Sequence, residues 1–157
     1  MTALPIDEAG PIDGEGLVLV PVPAERVDAV LAGDIDPYLA GPGWPRDDTA
    51  IALSYRAVRG MTWLVAVDGI VVGELGTKAP PDEAGEVEIG YGLAGPSRRR
   101  GIGTRAVAAL VDWLLARDDV QAVVAHVDPD NTPSVRLLRR LGFRHAATSA
   151  TEDIYRR

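Results

Sequence analysis

Apolar residues in this chain come in short bursts separated by proline, glycine and acidic positions, and the spacing inside each burst separates strand from helix. Leu17-Val18-Leu19-Val20 is a continuous apolar run of strand length and predicts a buried strand. Pro23-Ala24-Glu25-Arg26 then opens a helix reaching about Ala32, where Gly33 stops it. Pro37 to Pro45 is rich in proline and glycine and reads as a loop, after which Asp47 and Asp48 can cap a second helix through about Val58. Trp63 to Val67 and Ile70 to Leu75 flank Asp68-Gly69, a strong hairpin signal because both turn residues tolerate positive φ. A polar loop, Ala79 to Gly85, leads into a strand from Glu86 to Leu93. From Gly101 to Arg117 the periodicity changes: Ile102, Ala106, Leu110 and Leu114 recur every four residues, and Val107 and Val111 widen the stripe, which predicts an amphipathic helix. Val120 to Val127 reads as an apolar strand, Asp130-Asn131 as the start of a helix to Arg140, and Gly142 as its stop. Phe143 begins a further strand, and Thr151 to Tyr155 supplies a last one. The order predicts an α/β or α+β domain with a mixed sheet. Residues 1–16 read as a flexible N-terminal arm and 17–157 as a single domain.

Composition narrows the chemistry. The chain has 157 residues, enough for one domain with its own core, and its hydrophobic fraction of 46% is ordinary for a globular protein. There is no apolar run of membrane-spanning length and no basic-then-apolar leader, so no membrane partner is expected and a cytoplasmic location is the default. Cysteine is absent, which removes disulfides, thiolate metal sites and a cysteine nucleophile together. Two histidines, His126 and His145, do not suggest a metal site. The net charge of −7 disfavours a nucleic-acid partner and suits a cationic one, such as a protonated amine.

Positive charge is nevertheless concentrated. Arg98, Arg99, Arg100 and Arg105 fall within eight positions, and Arg98-Arg99-Arg100-Gly101-Ile102-Gly103-Thr104 joins a strand to a helix. A helix N-terminus carries amide groups without internal partners and the positive end of the macrodipole, so it is an anion site. Gly101 and Gly103 let a phosphate approach the backbone, and the arginines add charge; a pyrophosphate fits this description. A Rossmann fingerprint or a Walker loop would need other glycine spacings, and neither is present.

The Arg98, Gly101, Gly103 pattern resembles the acetyl-CoA motif of the GNAT acetyltransferases, Arg/Gln-x-x-Gly-x-Gly/Ala. Asp128 to Phe143 resembles the closing motif of the same superfamily, with Asn131 at a strand end, the small Ser134 three residues later, and Leu141-Gly142-Phe143 at the finish. Glu88-Ile89-Gly90-Tyr91-Gly92-Leu93 resembles its central strand. The flavour is similar to the ribosomal-protein N-terminal acetyltransferase branch, the RimJ/RimL type. The resemblance covers roughly Glu86 to Phe143 and implies a mixed, mostly antiparallel sheet with one splayed parallel strand pair, flanked by helices.

The implied activity is that of an acyltransferase, an acetyl-CoA-dependent N-acetyltransferase acting on a primary amine of a small molecule or a peptide or protein N-terminus. The resemblance assigns the pantetheine contacts to the backbone of Tyr91 to Leu93, with an amide near Leu93 for the oxyanion. It assigns the pyrophosphate to the backbone amides from Arg99 to Thr104 (Arg99, Arg100, Gly101, Ile102, Gly103 and Thr104), a pantetheine contact to Asn131, and further cofactor contacts to Arg98 and Ser134. Without cysteine, direct attack in a ternary complex is the sensible route. Glu88 is the candidate general base, with Glu74, Glu86 and His126 as rivals. Many relatives place a tyrosine acid in the last helix; here Leu138 holds that position, so Ser134, a water or an unaided thiolate must serve. Tyr38 and Trp44 are candidate acceptor contacts. The resemblance also makes a homodimer through the last strands an expectation. The alternatives are a non-catalytic acyl-CoA-sensing domain and an enzyme of the same fold using a longer acyl chain.

Overall fold

The computed structural model describes residues 8–157. Nine strands form one sheet in the order β1-β2-β4-β5-β6-β7-β9-β8, with β3 paired to β5 off this path. In chain order they are β1 (Ile12–Gly14), β2 (Leu17–Val22), β3 (Leu39–Ala40), β4 (Met61–Val67), β5 (Ile70–Thr77), β6 (Glu86–Leu93), β7 (Ala122–Val127), β8 (Arg144–Thr148) and β9 (Asp153–Arg156). Among the described residues four α-helices accompany them: α1 (Val27–Leu31), α2 (Thr49–Arg59), α3 (Ile102–Leu115) and α4 (Thr132–Arg140). The pairing is antiparallel except between β6 and β7 and in the two-residue β3–β5 contact. This is the mixed, mostly antiparallel sheet with a parallel pair that the sequence implied.

The sheet separates two hydrophobic layers. On one face the apolar stripe of α3 (Ile102, Ala106, Val107, Leu110, Val111, Leu114) meets Leu19, Trp63, Val65, Leu75, Val87 and Ile89. Leu138 and Phe143 close this layer at one end, and Leu138 is fully buried. On the other face Val27, Val30, Ile35, Trp44 and Leu53 pack against Val22, Leu64 and Val71. Strands β4 and β5 are covered on both sides, which is why their sequences lack clean alternation.

Several boundaries are set by single residues. Asp68 and Gly69 both have positive φ, 51° and 79°, as a tight primed turn between twisted strands requires. A bulge between β4 and β5 at Val65/Ala66 resets the alternation of β5, so that Val71 enters the layer opposite Leu75. The N-terminal segment differs from the arm expected over 1–16. Within the described residues, Ile12–Gly14 pairs with Leu17–Leu19, Ile12 is buried, and Trp63 Nε1 donates to Gly10 O at 3.2 Å. The stretch is too short to show periodicity, and its pairing is decided by β2. Residues 1–7 of that arm lie outside the described residues. The helix expected from Pro23 is also shorter, a 3₁₀ turn over Ala24–Arg26 followed by α1.

Candidate active site

The parallel pair is the key to the site. β6 and β7 are in register from Glu86↔Ala122 to Ile89↔Ala125 and then part. Beyond that point β7 pairs only with β9, while β6 runs on to Leu93 alongside β5. Lys78 N donates to Glu88 O and Ala94 N to Val72 O, so the even-numbered residues of β6 turn their backbone groups toward β5. By alternation the backbone groups of Tyr91 and Leu93 face the opening. There a narrow molecule with its own amides can complete the ladder. Arg98 Nε already donates to Leu93 O at 3.1 Å, so one of these carbonyls has a side-chain partner.

The turn that follows is built for an anion. Arg99 and Gly101 have positive φ, 65° and 76°, and Gly101 is the N-cap residue of α3. Two left-handed positions so close together turn neighbouring amide groups outward into a concavity, at the positive end of a fourteen-residue helix. Nothing lies within 4 Å of where a Cβ on Gly101 would stand. Arg98, Arg99 and Arg100 are exposed around it. Gly103 works differently from the expectation. A Cβ there would meet Leu93 and Leu137 side chains at 3.3 Å, so its bareness serves close packing of α3 between β6 and α4. Arg105 turns away to Glu15 O at 2.7 Å and Gly101 O at 3.3 Å, tying the N-terminal hairpin to the turn. Ile102 is buried in the core, so only its backbone is available to a ligand, and Thr104 is half-buried.

The opening is bridged by a contact the sequence did not reveal. Tyr91 Oη and Ser134 Oγ share a short hydrogen bond of 2.5 Å. Burial pushes the Tyr91 phenol above the usual tyrosine range, and the Ser134 bond offsets part of that. Ser134 stands in the first turn of α4, where its amide donates to Asn131 Oδ1 at 3.3 Å. Asn131 is therefore the N-cap of α4, exposed, with its amide nitrogen pointing to no described partner.

On the opposite face, Glu88 is half-buried and bound to Lys78 Nζ at 2.6 Å. His126 Nε2 lies 4.0 Å from Glu88 and its Nδ1 lies 3.8 Å from Glu152 Oε1. The rival carboxylates separate clearly. Glu86 accepts from Arg156 at 2.9 Å, away from the opening. Glu74 is 1% exposed, paired with Arg46, and accepts from Trp44 Nε1 at 2.9 Å and Thr49 Oγ1 at 3.2 Å. With its oxygens occupied and no solvent access, Glu74 is a structural anion rather than a base. Trp44 is buried in the second layer and its N–H is spent on Glu74, so it supports the acceptor loop from within and is not an open wall. Tyr38 is half-buried against the same layer. The loop carrying them is stitched to β5 by Leu39 N to Gly69 O and Gly41 N to Val71 O. His145 is on the far hairpin, held to Thr148 and Asp153.

A sheet that opens between two parallel strands beside an anion-binding helix start defines a class of acyl-CoA enzymes, and comparison with known proteins gives the family. Residues 17–144 match the family described as "Acetyltransferase (GNAT) domain", and the chain belongs to it. It is an acyltransferase of the N-acetyltransferase class. An uncharacterized N-acetyltransferase of Bacillus subtilis (strain 168), YjdG, is 31% identical over 117 residues, covering 68% of this chain and 70% of its own. A mycothiol acetyltransferase of Arthrobacter sp. (strain FB24) is 30% identical over 131 residues; the match takes in 78% of this chain and 40% of that longer relative. Among solved structures, the ribosomal L7/L12 α-N-protein acetyltransferase RimL in complex with coenzyme A superposes with a TM-score of 0.70 at 18% identity, over 94% of this chain and 97% of that one. Among the described residues no helix is long and apolar enough to cross a membrane.

Proposed function

We propose that the chain transfers the acetyl group of acetyl-CoA to a primary amine by direct attack within a ternary complex, using the opening between β6 and β7. The observation that carries this reading is the loss of pairing after Ile89/Ala125, directly followed by the Arg99/Gly101 turn at the start of α3. The exposed backbone edge at Tyr91 and Leu93 suits the pantetheine amides. The turn from Arg98 to Thr104 suits the pyrophosphate, with Gly103 acting as a packing residue. Asn131, whose Oδ1 caps α4, keeps its amide for the pantetheine arm.

In the reaction, the amine nitrogen attacks the thioester carbonyl carbon, the C–S bond breaks, the amine loses a proton and the thiolate gains one. Glu88 is our candidate for the first proton, directly or through water, with His126 close enough to pass it on. Ser134 is our candidate donor to the thiolate, backed by Tyr91. A phenol held neutral by burial keeps its proton available to its partner at physiological pH. This pair supplies what Leu138 cannot. We further propose a cytoplasmic enzyme, and a homodimer through β8, the outermost strand, whose residues are all exposed. Sedimentation would show a single monomeric species if the dimer were absent.

The deciding experiment compares melting temperatures with and without acetyl-CoA in wild type and Gly101→Asp. A ligand at one hundred times its Kd adds about 2.7 kcal/mol of stability. Aspartate at position 101 puts a like charge and a strained φ where the anion belongs. A shift in wild type that disappears in the mutant supports the reading. A well-folded wild type with no shift sinks it.

A further inference from the structure

The buried ion pair between Glu74 and Arg46 is not explained by acetyl transfer as set out so far. The geometry points to Arg46 as the residue that orients the acceptor, donating from the free edge of its guanidinium to a hydrogen-bond-accepting oxygen carried next to the reactive amine. This inference rests on the acetyl-transfer reading and names an acceptor feature for the same site.

Glu74 and Gly92 are opposed in the β5–β6 ladder, and the guanidinium lies across Gly92. A Cβ on Gly92 would overlap it, so the glycine is what admits Arg46 to this place. Glu74 binds Nη2 from below, while Trp44 and Thr49 fix the other carboxylate oxygen. Arg46 N in turn donates to Thr49 Oγ1 at 2.9 Å, which fixes the backbone that carries the side chain. A guanidinium has five N–H donors, and here most are unused. Nε is buried with no partner among the described residues, and Nη1 comes no nearer to Asp48 than 3.9 Å, with that carboxylate out in solvent.

The position gives the free edge its meaning. Gly92 lies between Tyr91 and Leu93, past the point where β6 and β7 part. It is on the same face of β6 as Glu88, opposite the face filled by α3 and by Tyr91 and Ser134. An amine must therefore approach from the Glu88–Arg46 side, with a cation at one end of its path and a carboxylate at the other. Four residues of strand separate Glu88 from Gly92, about 13 Å. An amine and the oxygen next to it are much closer together than that, so both lie at the Arg46 end of the path and water carries the proton over the remaining distance to Glu88. Because Glu74 already neutralises Arg46, the site does not demand a charged group; a carbonyl or a carboxylate oxygen meets the same donor.

The test uses the intact chain and three acceptors of similar size: alaninamide with a carbonyl, alanine with a carboxylate, and sec-butylamine with no oxygen. Released CoA is read with a thiol reagent, to which the cysteine-free chain contributes nothing. Wild type is compared with Gly92→Ala, which displaces the guanidinium, and with the double variant Arg46→Met/Glu74→Gln, which leaves no unpaired buried charge. Comparing the same acceptors across enzymes cancels the different basicities of their amines. The expected result is that kcat/KM for an oxygen-bearing acceptor, relative to sec-butylamine, falls by about tenfold or more in both variants, the loss of one hydrogen bond to a charged group. Alaninamide ahead of alanine identifies the carbonyl as the group read, and the reverse identifies the carboxylate. A ratio unchanged in both variants, or no turnover of either oxygen-bearing acceptor by wild type, overturns the inference. Failure of the acetyl-transfer reading shows itself separately, as a missing acetyl-CoA shift in melting temperature.

Discussion

Tyr91 and Ser134 illustrate how much chemistry can turn on one contact. Burial raises the Tyr91 pKa, so the neutral form is the one the fold favours. The sign follows: the stabilisation is fully present below the ordinary tyrosine pKa of 10.0 and is lost as pH rises through the higher folded value. Tyr91 should therefore ionise late in an ultraviolet titration, and Tyr91→Phe should remove that late step. Ser134→Ala and Tyr91→Phe should each lower kcat, with Ser134→Ala the more severe, by about a hundredfold if it is the proton donor. Equal activity in wild type and Ser134→Ala across pH 6 to 9 would assign protonation of the thiolate to water. The opposite sign applies to Asp153, whose carboxyl is held below the usual range by hydrogen bonds from Thr148 and His145. Its contribution is present above the usual carboxylate pKa and is lost as pH falls through the lowered one. In Asp153→Asn that acid-side dependence should vanish from the β8–β9 amide chemical shifts. None of these pairings was visible beforehand, because Tyr91 and Ser134 are 43 residues apart and only the fold brings them together. Glu74 did carry a signal: one carboxylate inside the apolar strand Ile70–Thr77 has to find a cation or a set of donors.

Elements whose character is local were legible in advance. The four-residue recurrence in α3 is a property of that segment alone, as is the Asp68-Gly69 turn, and both appear where the pattern put them. β6 matches its expected bounds, Glu86–Leu93. What escaped were β1 and β3, three and two residues long, whose existence depends on the free edges of β2 and β5. The same distinction governs the consequences of mutation. Leu110 is fully buried in the centre of the α3 stripe, so Leu110→Ala should cost about 2–5 kcal/mol in chemical denaturation. Gly103→Val should cost less stability than that but should loosen the α3–β6–α4 junction, because its side chain would press on Leu93 and Leu137. A weakened acetyl-CoA response in Gly103→Val, with little change in melting temperature, would mark that junction as a support of the cofactor turn.

At the scale of the whole molecule, the sheet consists of a large part from β1 to β6 and a smaller one of β7, β9 and β8, joined through the four register pairs between Glu86 and Ile89 and their partners. Acetyl-CoA lying in the opening would bond to the large part through β6 and to the small part through α4. Amide hydrogen exchange should therefore slow at Tyr91 and Leu93 and in the first turn of α4 on adding acetyl-CoA, while the β2–β4 pairing stays unchanged. Protection confined to the Arg98–Thr104 turn would mean that only the phosphates are held. The splayed pair was expected from the family resemblance, but the point at which it parts was not legible, since it depends on where two distant strands stop pairing.

The stretch of β6 beyond Ile89 is an edge strand in the middle of a sheet. Ordinary sheet edges invite other chains, and proteins defend them with charge, proline or brevity. This one is flanked instead: β7 and α4 stand beside it, and the Tyr91–Ser134 bridge spans the gap. On the acetyl-transfer reading the guest that completes the ladder there is a bare amide chain with no side chains, so the surroundings that shield this edge from neighbouring chains would also sort ligands by width.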